Sequence, residues 1–163
     1  MFDTSSASKT CWFLCESLPE RSQSGGGSFA PDGAKLLALA LRGNTNTSVY
    51  VLDAASGQAV EVTEHEGDAK FVPGPWAADG SGFYVLSDER GEFQSLAFQR
   101  LDGSREWIET PERDIDEVAG SADGRVLAWI ENEDGLSLVR VRNLERGVDL
   151  PDPQLPRGTA WPF

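Results

Sequence analysis

An all-β chain built from one repeated four-stranded unit is what these 163 residues predict. Three observations carry the prediction. An Asp-Gly turn is set three times, at Asp32-Gly33, Asp79-Gly80 and Asp123-Gly124, 47 and then 44 residues apart. Each turn opens the same order of text: a short apolar run, a polar hairpin tip, then a second run that ends on an acidic residue. Apolar residues nowhere recur at the 3.6-residue spacing of an amphipathic helix.

The first turn, in FAPDG (29–33), is followed by KLLALAL (35–41), the break RGNTNT and SVYVLD (48–53). The second, in WAADG, leads to GFYVLS (82–87), DERGE and FQSLAFQRLD (93–102). The third, in SADG, leads to RVLAWI (125–130), ENEDG and LSLVRVRNLE (136–145). Leu36 to Asp53 spans 18 residues, while Phe83 to Asp102 and Val126 to Glu145 span 20 each. Unbroken apolar runs bounded by turn residues suit strands buried on both faces. The second runs alternate, Val139 and Val141 against Arg140 and Arg142, or Leu96 and Phe98 against Ser95 and Ala97, as strands with one wet face do. Hairpin-length Gly, Asn, Asp and Glu clusters make consecutive strands antiparallel neighbours. A weaker strand follows in QAVEV (58–62), SREWIE (104–109) and GVDL (147–150), and one precedes the later turns in FVPGPW (71–76) and DEVAG (116–120).

Four strands in about 45 residues, repeated, is the pattern of a β-propeller blade. A helical solenoid of similar period would show helical spacing, and a β-sandwich would not restate one turn at one place. The expected architecture is a partial propeller: blades at about 29–70, 71–115 and 116–156, and the first strand of a fourth in RGTAWPF (157–163). Residues 1–28 are expected to be an irregular leader or linker outside the propeller. ERSQSGGGS (20–28) carries too little hydrophobicity to pair in a sheet. The chain breaks off where the next Pro-Asp-Gly belongs, so it reads as an internal piece of a longer protein behind a foreign or frame-shifted leader. An arc of blades leaves two apolar blade faces without neighbours. Phe83, Trp129 and Leu39 are expected to be partly unsupported there, with self-association through those faces.

Composition excludes several functions. A net charge of −13 gives no electrostatic footprint for nucleic acid or anionic lipid. No apolar run approaches the roughly 18 residues that cross a bilayer. CWFLC (11–15), behind a single Lys9, lacks the pattern of a signal peptide, which leaves a cytoplasmic chain as the default. Cys11 and Cys15, the only cysteines, and the lone His65 form no zinc set, and the cysteines read as free thiols in a reducing compartment.

Candidate chemistry fails residue by residue. The carboxylate pairs Asp114 with Asp116 and Glu131 with Glu133 would suit a glycosidase only across a cleft, and their hydrophilic surroundings read as a solvated face. ENEDG (131–135) lacks the spacing of a calcium loop and reads as a hairpin tip. SQSGGGS lacks the Lys, strand and helix of a phosphate loop and reads as a linker. No catalytic, cofactor-binding or metal-binding residue is nominated, and no cofactor is expected.

FAPDG, an apolar strand, a hairpin and then VYVLDAASG (49–57) together resemble the propeller repeat of TolB-type proteins and of the prolyl oligopeptidase family of serine peptidases. GPWAADGSGFYVLSDERGEF (74–93) and SADGRVLAWIENEDGLSLVRVRNLERG (121–147) resemble the blades that precede the hydrolase domain in the bacterial branch of that family. The resemblance covers about 29–163. It implies a non-catalytic propeller that caps an α/β-hydrolase domain and restricts access to short peptide substrates. In that family the nucleophile sits on a G-x-S-x-G elbow, followed by Asp and His. No G-x-S-x-G occurs here; GSADG (120–124) has its Ser misplaced. The alternative that resemblance implies is a free-standing TolB-like propeller that binds a protein partner.

Overall fold

The computed structural model describes residues 24, 25 and 27–160. Twelve strands form three four-stranded antiparallel sheets in simple meander order, the blades of a partial β-propeller. Blade 1 holds β1 (Ser24–Gly25), β2 (Lys35–Leu41), β3 (Thr47–Asp53) and β4 (Ala59–Glu61). Blade 2 holds β5 (Phe71–Trp76), β6 (Gly82–Ser87), β7 (Ser95–Arg100) and β8 (Arg105–Glu109). Blade 3 holds β9 (Ile115–Gly120), β10 (Val126–Glu133), β11 (Leu136–Asn143) and β12 (Val148–Asp149).

The repeated Asp-Gly turn has one geometry. Gly33, Gly80 and Gly124 take φ of 69°, 69° and 68°. Their N–H groups donate to the carbonyls of Ala30, Ala77 and Ser121 at 2.8, 3.0 and 2.9 Å. Positive φ is open to glycine at little cost, which fixes the residue type. The aspartate's Oδ1 accepts from the backbone N–H two residues on, at Ala34, Ser81 and Arg125, a local bond that favours the turn over continued strand. At the tip of β10–β11, Asp134 (φ 51°) and Gly135 (φ 83°) form a two-residue turn of the type whose twist matches flanking strands.

Pairing registers fix which side chains face which neighbour. Leu37 opposite Val51 and Leu39 opposite Val49 turn toward blade 2. Counted from each Asp-Gly turn, the same positions are Tyr84, Leu86, Leu96 and Phe98 in blade 2, and Ala128, Ile130, Val139 and Val141 in blade 3. One seam is sealed by Leu37, Val49, Val51, Phe71, Phe83, Val85 and Ala97, and Trp76 meets Phe83 edge-on at 5.8 Å. The other is sealed by Tyr84, Leu86, Leu96, Ile115, Leu127 and Trp129. A fully buried Leu or Phe contributes about 2–3 kcal/mol at such a seam. A third cluster, Ala38, Ala40, Tyr50 and Leu52, occupies the face of blade 1 turned away from blade 2.

Several expectations are corrected. Ser24–Gly25 pairs with β2, opposite Ala40 and Leu39, although the Gly-rich stretch was expected to supply no strand. Such pairing uses backbone groups, and glycine permits close approach: a Cβ at Gly27 would lie 1.9 Å from the Leu37 carbonyl oxygen. Phe83 and Trp129 are 0% and 3% exposed instead of unsupported, because the pleat turns both into interior seams. Leu39, partly buried, likewise packs against the first seam. The alternating text of β7 does not give a wet face, since Ser95, Leu96 and Ala97 are all buried where blade 2 is covered from both sides. Glu131 is buried instead of solvated: β10 runs past Ile130, and Glu131 opposes Leu138 and accepts from Trp129 Nε1 (3.2 Å) and Arg140 Nε (3.4 Å).

Residues 157–160 form no strand, and 161–163 lie outside the described residues, as do Cys11, Cys15 and, within SQSGGGS, Ser22, Gln23 and Gly26. His65 lies in the loop after β4, its Nδ1–H donating to the Thr63 carbonyl at 2.8 Å and its ring 5.0 Å from Phe71. No described helix is long and apolar enough to cross a membrane.

Candidate functional site

Blades 1 and 2 are joined by a hydroxyl clasp. Thr47, the first residue of β3, donates its N–H to the Ala69 carbonyl at 3.0 Å. Its Oγ1 accepts from Phe71 N–H at 2.6 Å and donates to the Phe71 carbonyl at 2.8 Å. The third strand of one blade thus holds the entry of the next blade's first strand. Blade 3 repeats the device at Ser137, whose N–H donates to the Gly158 carbonyl (3.0 Å) and whose Oγ accepts from Ala160 N–H (2.9 Å). Ala160 therefore stands where Phe71 stands at the seam of blades 1 and 2.

Ala160 also lines a groove of about 220 Å³ on the face of blade 3, with Ala128, Ile130, Val139, Val118 and Glu117. Of these, Ala128, Ile130 and Val139 occupy the register that is sealed between blades 1 and 2 and between blades 2 and 3. Val139 and Val141 are half-buried there, where Leu96 is fully buried. The face is built like an interior seam.

A second groove, about 480 Å³, opens between blades 2 and 3 beside the Asp-Gly turns. Gly124 closes the turns together: a Cβ there would lie 2.3 Å from that of Ala78. Tyr84 and Phe98 form its aromatic floor, edge-on at 5.3 Å, and Asp79, Glu106 and Glu145 ring its mouth. Glu106 pairs with Arg100 at 3.0 Å, and Glu145 with Arg125 at 3.2 Å. The Ser81 hydroxyl and N–H hold the Asp79 carboxyl below its usual range. Burial, then the charge of Asp79, pushes the Tyr84 hydroxyl up, so it stays protonated at neutral pH. Across the same seam Arg142 reaches Glu109 of blade 2 and Asp149, and lies 5.3 Å from the Trp129 ring centre.

The carboxylates weighed in the sequence serve structural bonds. Asp114 accepts from Gln94 N–H at 2.8 Å and Asp116 from Asn132 Nδ2 at 3.1 Å, while Glu133 pairs with Arg113 at 2.6 Å. Among the described residues, no three or more His, Cys, Asp or Glu side chains are grouped to hold a metal ion. Sequence reasoning missed the Tyr84–Phe98 groove. Its signal was present in the repeat, because Leu37 and Val51 fill those two positions in blade 1.

Fold and surface define an arc of β-propeller, of the type found in TolB and in prolyl oligopeptidase-type peptidases. The likeness is to solved structures of both kinds. TolB from Acinetobacter baumannii is 25% identical and superposes with a TM-score of 0.63 over 77% of this chain and 31% of its own. A puromycin-hydrolyzing peptidase from Mycobacterium tuberculosis is 19% identical, with a TM-score of 0.69 over 86% of this chain and 23% of its own. A prolyl endopeptidase is 23% identical, with a TM-score of 0.66 over 83% and 20%. The chain thus spans less than a third of each of these proteins. No family model matches the sequence, and no curated protein matches it.

Proposed function

We propose that this chain is the non-catalytic propeller portion of a prolyl-oligopeptidase-like serine peptidase, gating or positioning peptide substrates for a hydrolase domain carried elsewhere in the same protein. The observation that carries the reading is the three-blade likeness to peptidase propellers, joined to the blade wording of residues 74–93 and 121–147. The clasp at Ser137 and the seam-like face of blade 3 support a further blade at that position. In the isolated chain, that face is the surface through which copies associate.

A fluorophosphonate probe tests the reading on the native protein of the source cell, captured with an antibody against this chain. Labelling of a captured polypeptide, with hydrolysis of short peptide-coumarin substrates, is the expected result. A captured protein that takes no label and cleaves no peptide overturns it. The TolB-type alternative, a propeller that binds a protein partner, is favoured by the 25% identity to TolB over 77% of the chain. Stoichiometric co-purification of one partner without labelling would decide for it.

A further inference from the structure

We propose that the apolar run CWFLC (11–15) of this chain covers the outer face of blade 1 and so closes one end of the arc. The inference is independent of whether a hydrolase domain accompanies the propeller.

The face in question carries Ala38, Ala40, Tyr50 and Leu52. Counted from the Asp-Gly turns, Ala38 and Tyr50 match Val85 and Ala97 in blade 2, and Ala38 matches Trp129 in blade 3. Those later residues are buried because the preceding blade packs on them. Blade 1 has no preceding blade among the described residues, and the apolar neighbours of its cluster, Leu36 and Ala59, are its own. Leu52 is nevertheless 0% exposed and Ala40 1%. A face left to solvent looks different: Val139 and Val141, at the open end of blade 3, are only half-buried. The contrast calls for a cover on blade 1.

Connectivity selects the segment. Ser24 pairs opposite Ala40, so the chain before it joins blade 1 at the edge of this face. Cys15 lies nine residues before Ser24. A tether of that length reaches about 30 Å, while a four-stranded sheet is about 15 Å across. Residues 161–163 reach at most about 10 Å and leave from blade 3, on the far side of blade 2. Within residues 1–23, Trp12, Phe13 and Leu14 are the one run of large apolar side chains. Laying them on Ala38, Ala40 and Leu52 removes both surfaces from water. Stacked repeats need a cap of this kind on a terminal unit.

Cys11 and Cys15, the only cysteines, report on the segment directly. Iodoacetamide should label the reduced, full 163-residue chain at least about tenfold more slowly in native buffer than in urea, since a covered thiol reacts only through local opening. Dilution should not change the native rate. Ala38→Glu puts a charge under the cover and should raise that rate about tenfold, whereas Val139→Glu, at the other end of the arc, should leave it within about twofold. Ala38→Cys, a small change, should cross-link to Cys11 or Cys15 in a glutathione redox buffer, because a disulfide needs Cα atoms within about 7 Å. Fast labelling of the native chain, an unchanged rate in Ala38→Glu, or no cross-link from Ala38→Cys overturns the proposal. Protection that disappears on dilution or in Val139→Glu overturns it too, since a second copy would then be the cover.

Discussion

Thr47 and Phe71, 24 residues apart and in different blades, exchange two hydrogen bonds through one hydroxyl. Thr47 is 2% exposed and Phe71 0% exposed. Thr47→Val keeps the shape and leaves the Phe71 N–H without its 2.6 Å acceptor inside the protein. The expected cost is about 2 kcal/mol, read by urea denaturation. Thr47→Ser keeps the clasp and should cost less than about 1 kcal/mol, the value of a buried methyl group. Equal losses in the two variants would show that the methyl group, not the hydroxyl, carries the effect.

Gly124 and Gly33 share a turn conformation and differ in surroundings. A Cβ at Gly33 meets nothing within 4 Å, whereas at Gly124 it lies 2.3 Å from that of Ala78. Gly33→Ala should cost about 1–2 kcal/mol in backbone strain. Gly124→Ala should exceed it by about 1–3 kcal/mol, because two blades must separate to admit the methyl group. Matching thermal shifts in the two variants would count against a tight seam.

Arg105 is a cation inside the first seam, its side chain 9% exposed. It pairs with Glu89, donates from Nε to Gln99 Oε1 at 2.7 Å and lies 4.4 Å from the Phe71 ring centre. Arg105→Lys keeps the charge but loses the planar fork, which should cost about 1–2 kcal/mol in denaturant titration. Retention of full stability with lysine would reduce Arg105 to a simple point charge.

Acid should unfold the protein through its turns. Hydrogen bonds from Ser56, Ser81, Ser104 and Ser121 hold the carboxyls of Asp53, Asp79, Asp102 and Asp123 below their usual value of 3.8. A depressed folded-state pKa contributes stability that is present above the unfolded value and lost as pH falls through the folded one. The melting temperature should therefore drop below about pH 4, and Asp79→Asn should flatten that drop. An unchanged slope in Asp79→Asn would remove the turn carboxylate from the acid transition.

The open face of blade 3 predicts concentration dependence. Val139→Asp places a charge among Ala128, Ile130 and Ala160 on that face. Sedimentation velocity should show association of the wild-type chain that Val139→Asp reduces. A wild-type chain that stays monomeric at all concentrations would sink self-association through this face.

The repeat itself was legible because turn chemistry is local. Asp-Gly announces a positive φ at Gly33, Gly80 and Gly124 without reference to anything distant. What the text concealed was orientation. Trp129 and Ile130 are both apolar, and only the pairing of β10 with β11 reveals that one enters the seam and the other faces outward. Glu131 read as solvated because its partners, Trp129 Nε1 and Arg140, reach it by way of strand geometry. Ser24–Gly25 went unseen because backbone pairing leaves no side-chain signature. The groove was hidden for a related reason: Tyr84 and Phe98 are 14 residues apart and become neighbours only by hairpin register.

The clasp also says where this protein can be divided. A boundary drawn at the end of β4 would look natural, since a four-stranded sheet ends there. It would strand the Thr47 hydroxyl and strip Phe71 from the cluster that Leu37 and Val49 complete. The separable parcel therefore runs from one Asp-Gly turn to the next: the last three strands of a sheet with the opening strand of its successor. A recombinant library spliced between blades would cut through every parcel, whereas one spliced within the Asp-Gly turns would respect them.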